Sequence, residues 1–144
     1  MQYYIAFAAA AGLLDRLAEW FIGCAVFKPE IMCLVLSNLF GAVGLLLIGL
    51  SGFDPVISPS IGLHTLTIGA LGLAVIGVFI IAVLRHAGFG LNTMPFPATI
   101  AIIFDVLALV MRTLPQLVDG VPFASYQYAI SSICWSLTFL SWLT

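Results

Sequence analysis

The stretch IGLHTLTIGALGLAVIGVFIIAVL, residues 61–84, decides the fold. It has no Asp, Glu, Lys or Arg, and its one ionisable side chain is His64. An α-helix rises ~1.5 Å per residue and the hydrocarbon core of a bilayer is ~30 Å thick, so ~20 largely apolar residues are enough to cross it. The run is continuous rather than alternating, which excludes a transmembrane β-barrel strand. Four more runs of the same kind flank it, at about 2–25, 30–50, 96–114 and 123–143. The segments between them carry turn chemistry: Lys28-Pro29, then Ser51-Gly52-Phe53-Asp54-Pro55 through Pro59, then Gly88 to Pro97, then Pro115 to Pro122. The sequence therefore predicts an all-α, polytopic transmembrane bundle. It has about five helices with short loops, in a single domain over residues 1–144.

Composition agrees. Hydrophobic residues make up 63% of the chain, charged residues 7%, and mean hydropathy is +1.24. A soluble domain carries roughly a quarter charged residues, so this chain cannot cover a water-facing surface. The net charge of −2 and the lack of a basic block exclude nucleic-acid binding and polybasic docking to anionic lipid. The bilayer is the expected partner, together with a second copy of the chain or other membrane subunits. The three cysteines, Cys24, Cys33 and Cys134, are scattered among apolar residues and read as buried small hydrophobes rather than a disulfide framework. No basic residue precedes the first apolar run, so that run reads as a retained helix and not a cleavable leader.

Basic residues set orientation. Lys28 lies in the first connection and Arg85 at the start of the third, whereas the second connection, 51–60, has no basic residue and carries Asp54. This predicts an outside N-terminus and a cytoplasmic C-terminus, with Arg112 at the outer end of helix four against the trend. Small residues recur on helix three (Gly62, Gly69, Gly72, Ala74, Gly77), on helix two (Gly41, Gly44) and on helix one (Ala8, Gly12), where they allow close helix approach or a dimer face.

Ionisable groups in a membrane are costly, and each is a candidate for function. His64 opens helix three and His86 closes it. At ~1.5 Å per residue they stand ~33 Å apart, so they cannot share one metal. Each is either a ligand completed by other helices or an interfacial histidine bonded to water or a carbonyl. Met94 is a possible soft ligand near His86. Asp105 sits mid-helix in ATIAIIFDVLALVMR and must be protonated or paired, with Arg16 or Tyr126 as possible partners; proton or ion handling is the functional alternative. Arg112 follows at i+7, on the same face but ~10 Å further along. Asp15, Arg16 and Glu19 cluster on helix one, where Arg16 and Glu19 can form a local ion pair. Tyr3, Tyr4, Trp20, Tyr126, Tyr128 and Trp142 read as interfacial belt residues, and Trp135 as packing. No phosphate loop, catalytic triad, HExxH or carboxylate pair occurs.

Helix three carries more than apolarity. His64-Thr65-Leu66-Thr67-Ile68-Gly69-Ala70-Leu71-Gly72 followed by His86-Ala87-Gly88 resembles the signature of the NnrS family. Arg16-Leu17-Ala18-Glu19-Trp20, Pro29 and Gly44-Leu45-Leu46-Leu47 lie at the family's spacing, and Val110-Met111-Arg112-Thr113-Leu114-Pro115 resembles a further family segment. The match is to the C-terminal part of members that are much longer. The resemblance implies a haem- and copper-containing membrane protein linked to nitric oxide, nitrosative stress and denitrification, in a bacterial inner membrane. His64 and His86 are then the cofactor and metal candidates. Three departures stand out. A family histidine falls at Val35, a family arginine at Ile81, and the closing motif reads Arg85-His86-Ala87-Gly88-Phe89. The alternatives are a non-catalytic small subunit or assembly partner of a larger respiratory membrane complex, and a small oligomeric transporter built on Asp105.

Overall fold

The computed structural model describes residues 1–20, 23–27, 29–90 and 95–141. Lys28, Met94 and Trp142 lie outside them. Five helices follow in chain order: α1 Gln2–Glu19, α2 Pro29–Leu50, α3 Pro59–His86, α4 Phe96–Leu117 and α5 Gln127–Leu140. Short 3₁₀ turns at Gly23–Phe27 and Ala124–Tyr126 complete the described secondary structure, and the described residues contain no strand. Three segments are long and apolar enough to cross a bilayer: Ile31–Leu50, Pro59–His86 and Phe96–Leu117. Each helix packs against its neighbours in sequence, and α3 sits between α2 and α4.

The helix limits follow local chemistry. Ser58 is extended and its hydroxyl accepts from the Ser60 N–H at 3.3 Å, while Pro59 takes the first helical position, where no N–H is needed; α3 therefore starts two residues before the apolar run. At the other end the Gly88 N–H donates to the Arg85 carbonyl (3.2 Å) and the Phe89 N–H to the Leu84 carbonyl (2.9 Å), which closes the helix in a Schellman motif. Gly88 has φ +74°, a conformation that glycine adopts without strain. Helix α1 stops at Glu19, earlier than the apolar run to residue 25 suggests, and the chain turns through Gly23 at φ +71°. Helix α4 runs past Pro115 to Leu117, because a proline near the end removes one bond from a turn whose carbonyls are frayed anyway.

The centre of α3 departs from α geometry. Residues Thr65–Gly72 form a π segment between an α segment Pro59–His64 and another at Leu73–His86. Such wide turns shift the carbonyls out of α register, and helix α2 meets one of them: Ser37 donates its hydroxyl to the Ala70 carbonyl at 2.7 Å.

Helix α4 buries Ala98, Ala101, Asp105, Ala108 and Arg112, a stripe at alternating three- and four-residue spacing that faces its neighbours. The apolar core fills one half of the bundle: Cys33 of α2, Leu73, Ile76, Ile80 and Leu84 of α3, and Ala98 and Ala101 of α4. The polar members of the α4 stripe lie beyond it, toward the end that carries His64.

Candidate functional site

Between α3, α4 and α5 lies a cavity of about 350 Å³. Helix α3 contributes His64, Thr67 and Ile68, α4 contributes Arg112, and α5 contributes Tyr128, Ser131, Ser132 and Trp135. Two site candidates far apart in sequence, His64 and Arg112, thus share one wall. They meet because α3 and α4 are antiparallel, so the start of one lies beside the end of the other.

Arg112 is buried at 8% exposure and is held in place. Its Nη1 donates to the Gln127 side-chain oxygen at 3.2 Å, and its guanidinium carbon stands 4.0 Å from the centroid of the Tyr128 ring. A desolvated cation over an aromatic face is stabilised by about 2 kcal/mol, and a hydrogen bond from a charged donor contributes about 1.5–3 kcal/mol. Arg112→Ala is therefore expected to destabilise the α4–α5 contact by about 2–4 kcal/mol, with Arg112→Lys intermediate because it keeps charge but not the fork. Reversible unfolding in mixed micelles measures it.

Three of the cavity's four hydroxyls are already committed as donors. Thr67 donates to the Leu63 carbonyl (2.9 Å), Ser131 to Ala108 (2.8 Å) and Ser132 to Ala129 (2.9 Å). Their oxygens remain as acceptors. His64, Arg112, the Tyr128 hydroxyl and the Trp135 indole N–H are then the groups with donor or ligand capacity.

The other sequence candidates lie elsewhere. His86 is exposed at the far end of α3, beside Arg85. Arg16 and Glu19 are exposed on α1, away from the cavity lining, and form no ion pair among the described residues. Asp105 is fully buried, and neither carboxylate oxygen has a hydrogen-bond partner among the described residues. Neither Arg16 nor Tyr126 is its partner: both are exposed. Val35 lines a small apolar pocket with Leu17, Trp20 and Val26. Ile81 is half-buried in the last α segment of α3.

Sequence reading missed Gln127, Ser131 and Ser132, and took Tyr128 for a belt residue and Trp135 for packing. A signal was present: 127/128, 131/132 and 135 recur at helical spacing and give α5 one polar-aromatic face. No group of three or more His, Cys, Asp or Glu side chains able to hold a metal ion occurs among the described residues. Copper, which such a donor set would bind, does not fit the described residues of a single chain, and Arg112 adds a positive charge beside the one imidazole of the cavity. Haem fits the residues better. His64 would supply one imidazole to its iron, Arg112 a guanidinium to its carboxylates, and Trp135 and Ile68 an apolar flank.

A family model described as NnrS protein matches residues 1–144, the whole length of the chain. Comparison with curated proteins and with solved structures gives no match.

Proposed function

Because this chain belongs to the NnrS family, we propose that it is a small haem-associated integral membrane protein acting in nitric oxide or nitrosative-stress metabolism, with the His64–Arg112 cavity as its site. One observation carries this reading: the histidine that opens the family signature and the buried arginine of the Val110–Pro115 segment line the same cavity. His64 would hold the iron, Arg112 would pair with a haem carboxylate, and Tyr128 and Gln127 keep the guanidinium in place. Bound haem would supply diatomic-gas binding and one-electron redox chemistry. Ile68 and Trp135 exclude water from its face.

The departures from the family pattern all fall in the other half of the bundle. A side chain at Gly77 would touch Cys33 and Leu34, which places the Val35 turn of α2 level with the last α segment of α3, where Ile81 and His86 stand. That half is apolar core. The outer site is thus kept while the inner one has lost its polar groups, and His86 acts as an interfacial anchor. The same loss supports a second reading, in which the chain is a non-catalytic subunit or assembly partner of a larger membrane complex.

We place the chain in a bacterial inner membrane, all five helices forming one transmembrane domain, with the N-terminus outside. Arg112 does not count against this orientation. Held by Gln127 and Tyr128 inside the bundle, it is not a loop charge, and Lys28 and Arg85 then agree.

The test is the visible spectrum of the detergent-purified protein, oxidised and dithionite-reduced, with haem and copper quantified per chain. A Soret band with sharp reduced α and β bands and about one haem per chain or per dimer is the expected result. A colourless protein that co-purifies with stoichiometric partner chains replaces the haem reading with the subunit one.

A further inference from the structure

Asp105 is not part of the cavity lining, yet it stands directly behind it. A side chain built at Gly72, at the end of the π segment, would run into Asp105 Oδ1 and Cγ and into Cζ3 of Trp135. Trp135 also lines the cavity. The indole therefore borders the polar cavity and also reaches the space over Gly72 where the buried carboxyl group stands. We propose that Asp105 is a proton-binding site inside the membrane that exchanges its proton with the His64–Arg112 cavity past Trp135.

The first support is the cost of the alternative. Asp105 is 0% exposed and its two oxygens have no donor among the described residues. A charged carboxylate in such a place loses its hydration with nothing in return, and the group reaches neutrality by binding a proton. The surrounding titratable groups do not replace that proton. On α4 itself, Arg112 lies at i+7 and is committed to Gln127 and Tyr128. On α3, His64 is in the cavity, while Arg85 and His86 are exposed at the opposite end. On α5, Tyr128 lies against Arg112, and Cys134 is half-buried next to Trp135 in sequence.

The second support is the route. Toward Gly88 the core half of the bundle is Leu73, Ile76, Ile80, Leu84, Ala98 and Ala101, with the Cys33 thiol of α2 as its one group that carries an exchangeable proton. Toward the cavity there is the Trp135 indole, and the cavity itself offers an imidazole and four hydroxyl oxygens. On uptake a hydronium in the cavity gives its proton to one carboxylate oxygen, cancelling that charge and leaving a neutral water; on release the carboxyl group returns the proton to a water, which becomes hydronium. The exchange needs no bound haem, so this proposal and the haem reading stand or fall separately.

Infrared spectra of the full chain in lipid vesicles test it. The expected wild-type spectrum has a carboxylic acid C=O band, at the high-frequency edge where acids without hydrogen bonds absorb, that is missing in Asp105→Asn and shifts in D2O. Trp135→Ala is expected to exchange about tenfold faster than wild type, a loss of about 1.4 kcal/mol from the barrier, with Trp135→Phe close to wild type. Ser132→Phe, which adds a ring at the cavity, is expected to slow exchange by about tenfold and serves if Trp135→Ala does not fold. An acid band that persists in Asp105→Asn, or no band in wild type, overturns the proposal. So does an exchange rate that neither the Trp135 nor the Ser132 variant moves.

Discussion

His64→Ala is expected to abolish the haem spectrum of the purified protein, and His86→Ala to leave it intact. The asymmetry follows from position. The histidines stand at opposite ends of one helix, Pro59–His86, whose length of roughly 40 Å exceeds the hydrocarbon thickness. No rotation or tilt brings both to one iron. His64 borders a cavity of about 350 Å³ with a fixed cation in its wall, whereas His86 is exposed and belongs to none of the described pockets. Losing the only imidazole of the cavity would remove the iron ligand proposed above, so occupancy should fall by about a hundredfold. Haem content per chain by pyridine haemochrome, alongside the Soret band, gives the measurement. The reverse pattern, haem lost with His86→Ala and kept with His64→Ala, would put the site at the other membrane face and sink the cavity reading. Loss with both variants would mean that haem bridges copies of the chain, each offering a different end.

The bundle is legible in the sequence because its cause is compositional. Residues 61–84 can only be stable in lipid as a helix, and Ser58-Pro59 and Gly88 mark its limits through capping chemistry that short motifs encode. The π segment is not legible. Thr65–Gly72 has the same apolar character as its flanks, and its hydrogen-bond register is chosen by what packs on it: Ser37 at the Ala70 carbonyl, Phe40 and Leu109 around Gly69, Asp105 and Trp135 around Gly72. The site was half legible. His64, Asp105 and Arg112 stand out because ionisable groups are rare in this chain. The heptad-like spacing of Ala98, Ala101, Asp105, Ala108 and Arg112 already puts the last two ionisable groups on one buried face. What the sequence does not contain is the partner of each. Arg112 and Tyr128 are brought together by the α4–α5 turn, and Asp105 has no partner among the described residues.

Small residues were read alike on three helices, but the geometry separates them. Gly62→Val is expected to be the most damaging single change in the bundle. A Cβ at Gly62 would stand 2.6 Å from the Gly44 carbonyl oxygen, 2.6 Å from Ile48 Cγ1 and 2.9 Å from the Ile48 backbone nitrogen. A flexible side chain can turn away from such a contact; the backbone of a membrane helix cannot. At this crossing α2 and α3 approach backbone to backbone, which only a missing side chain allows, and the contact sits next to the turn that carries His64. Valine adds two methyl groups to a collision that alanine already makes, so a cost of at least about 3 kcal/mol is expected, together with separation of α2 from α3. Gly12 on α1 offers the control, since nothing lies within 4 Å of a Cβ there. Gly12→Ala should be neutral or stabilise by up to about 1 kcal/mol through helix propensity. Unfolding of the three proteins in mixed micelles, followed by circular dichroism, compares them directly. If Gly62→Val unfolded with Gly12→Ala and wild type, α2 and α3 could not cross at Gly44 and Gly62, and the placement of His64 against α4 would have to be redrawn.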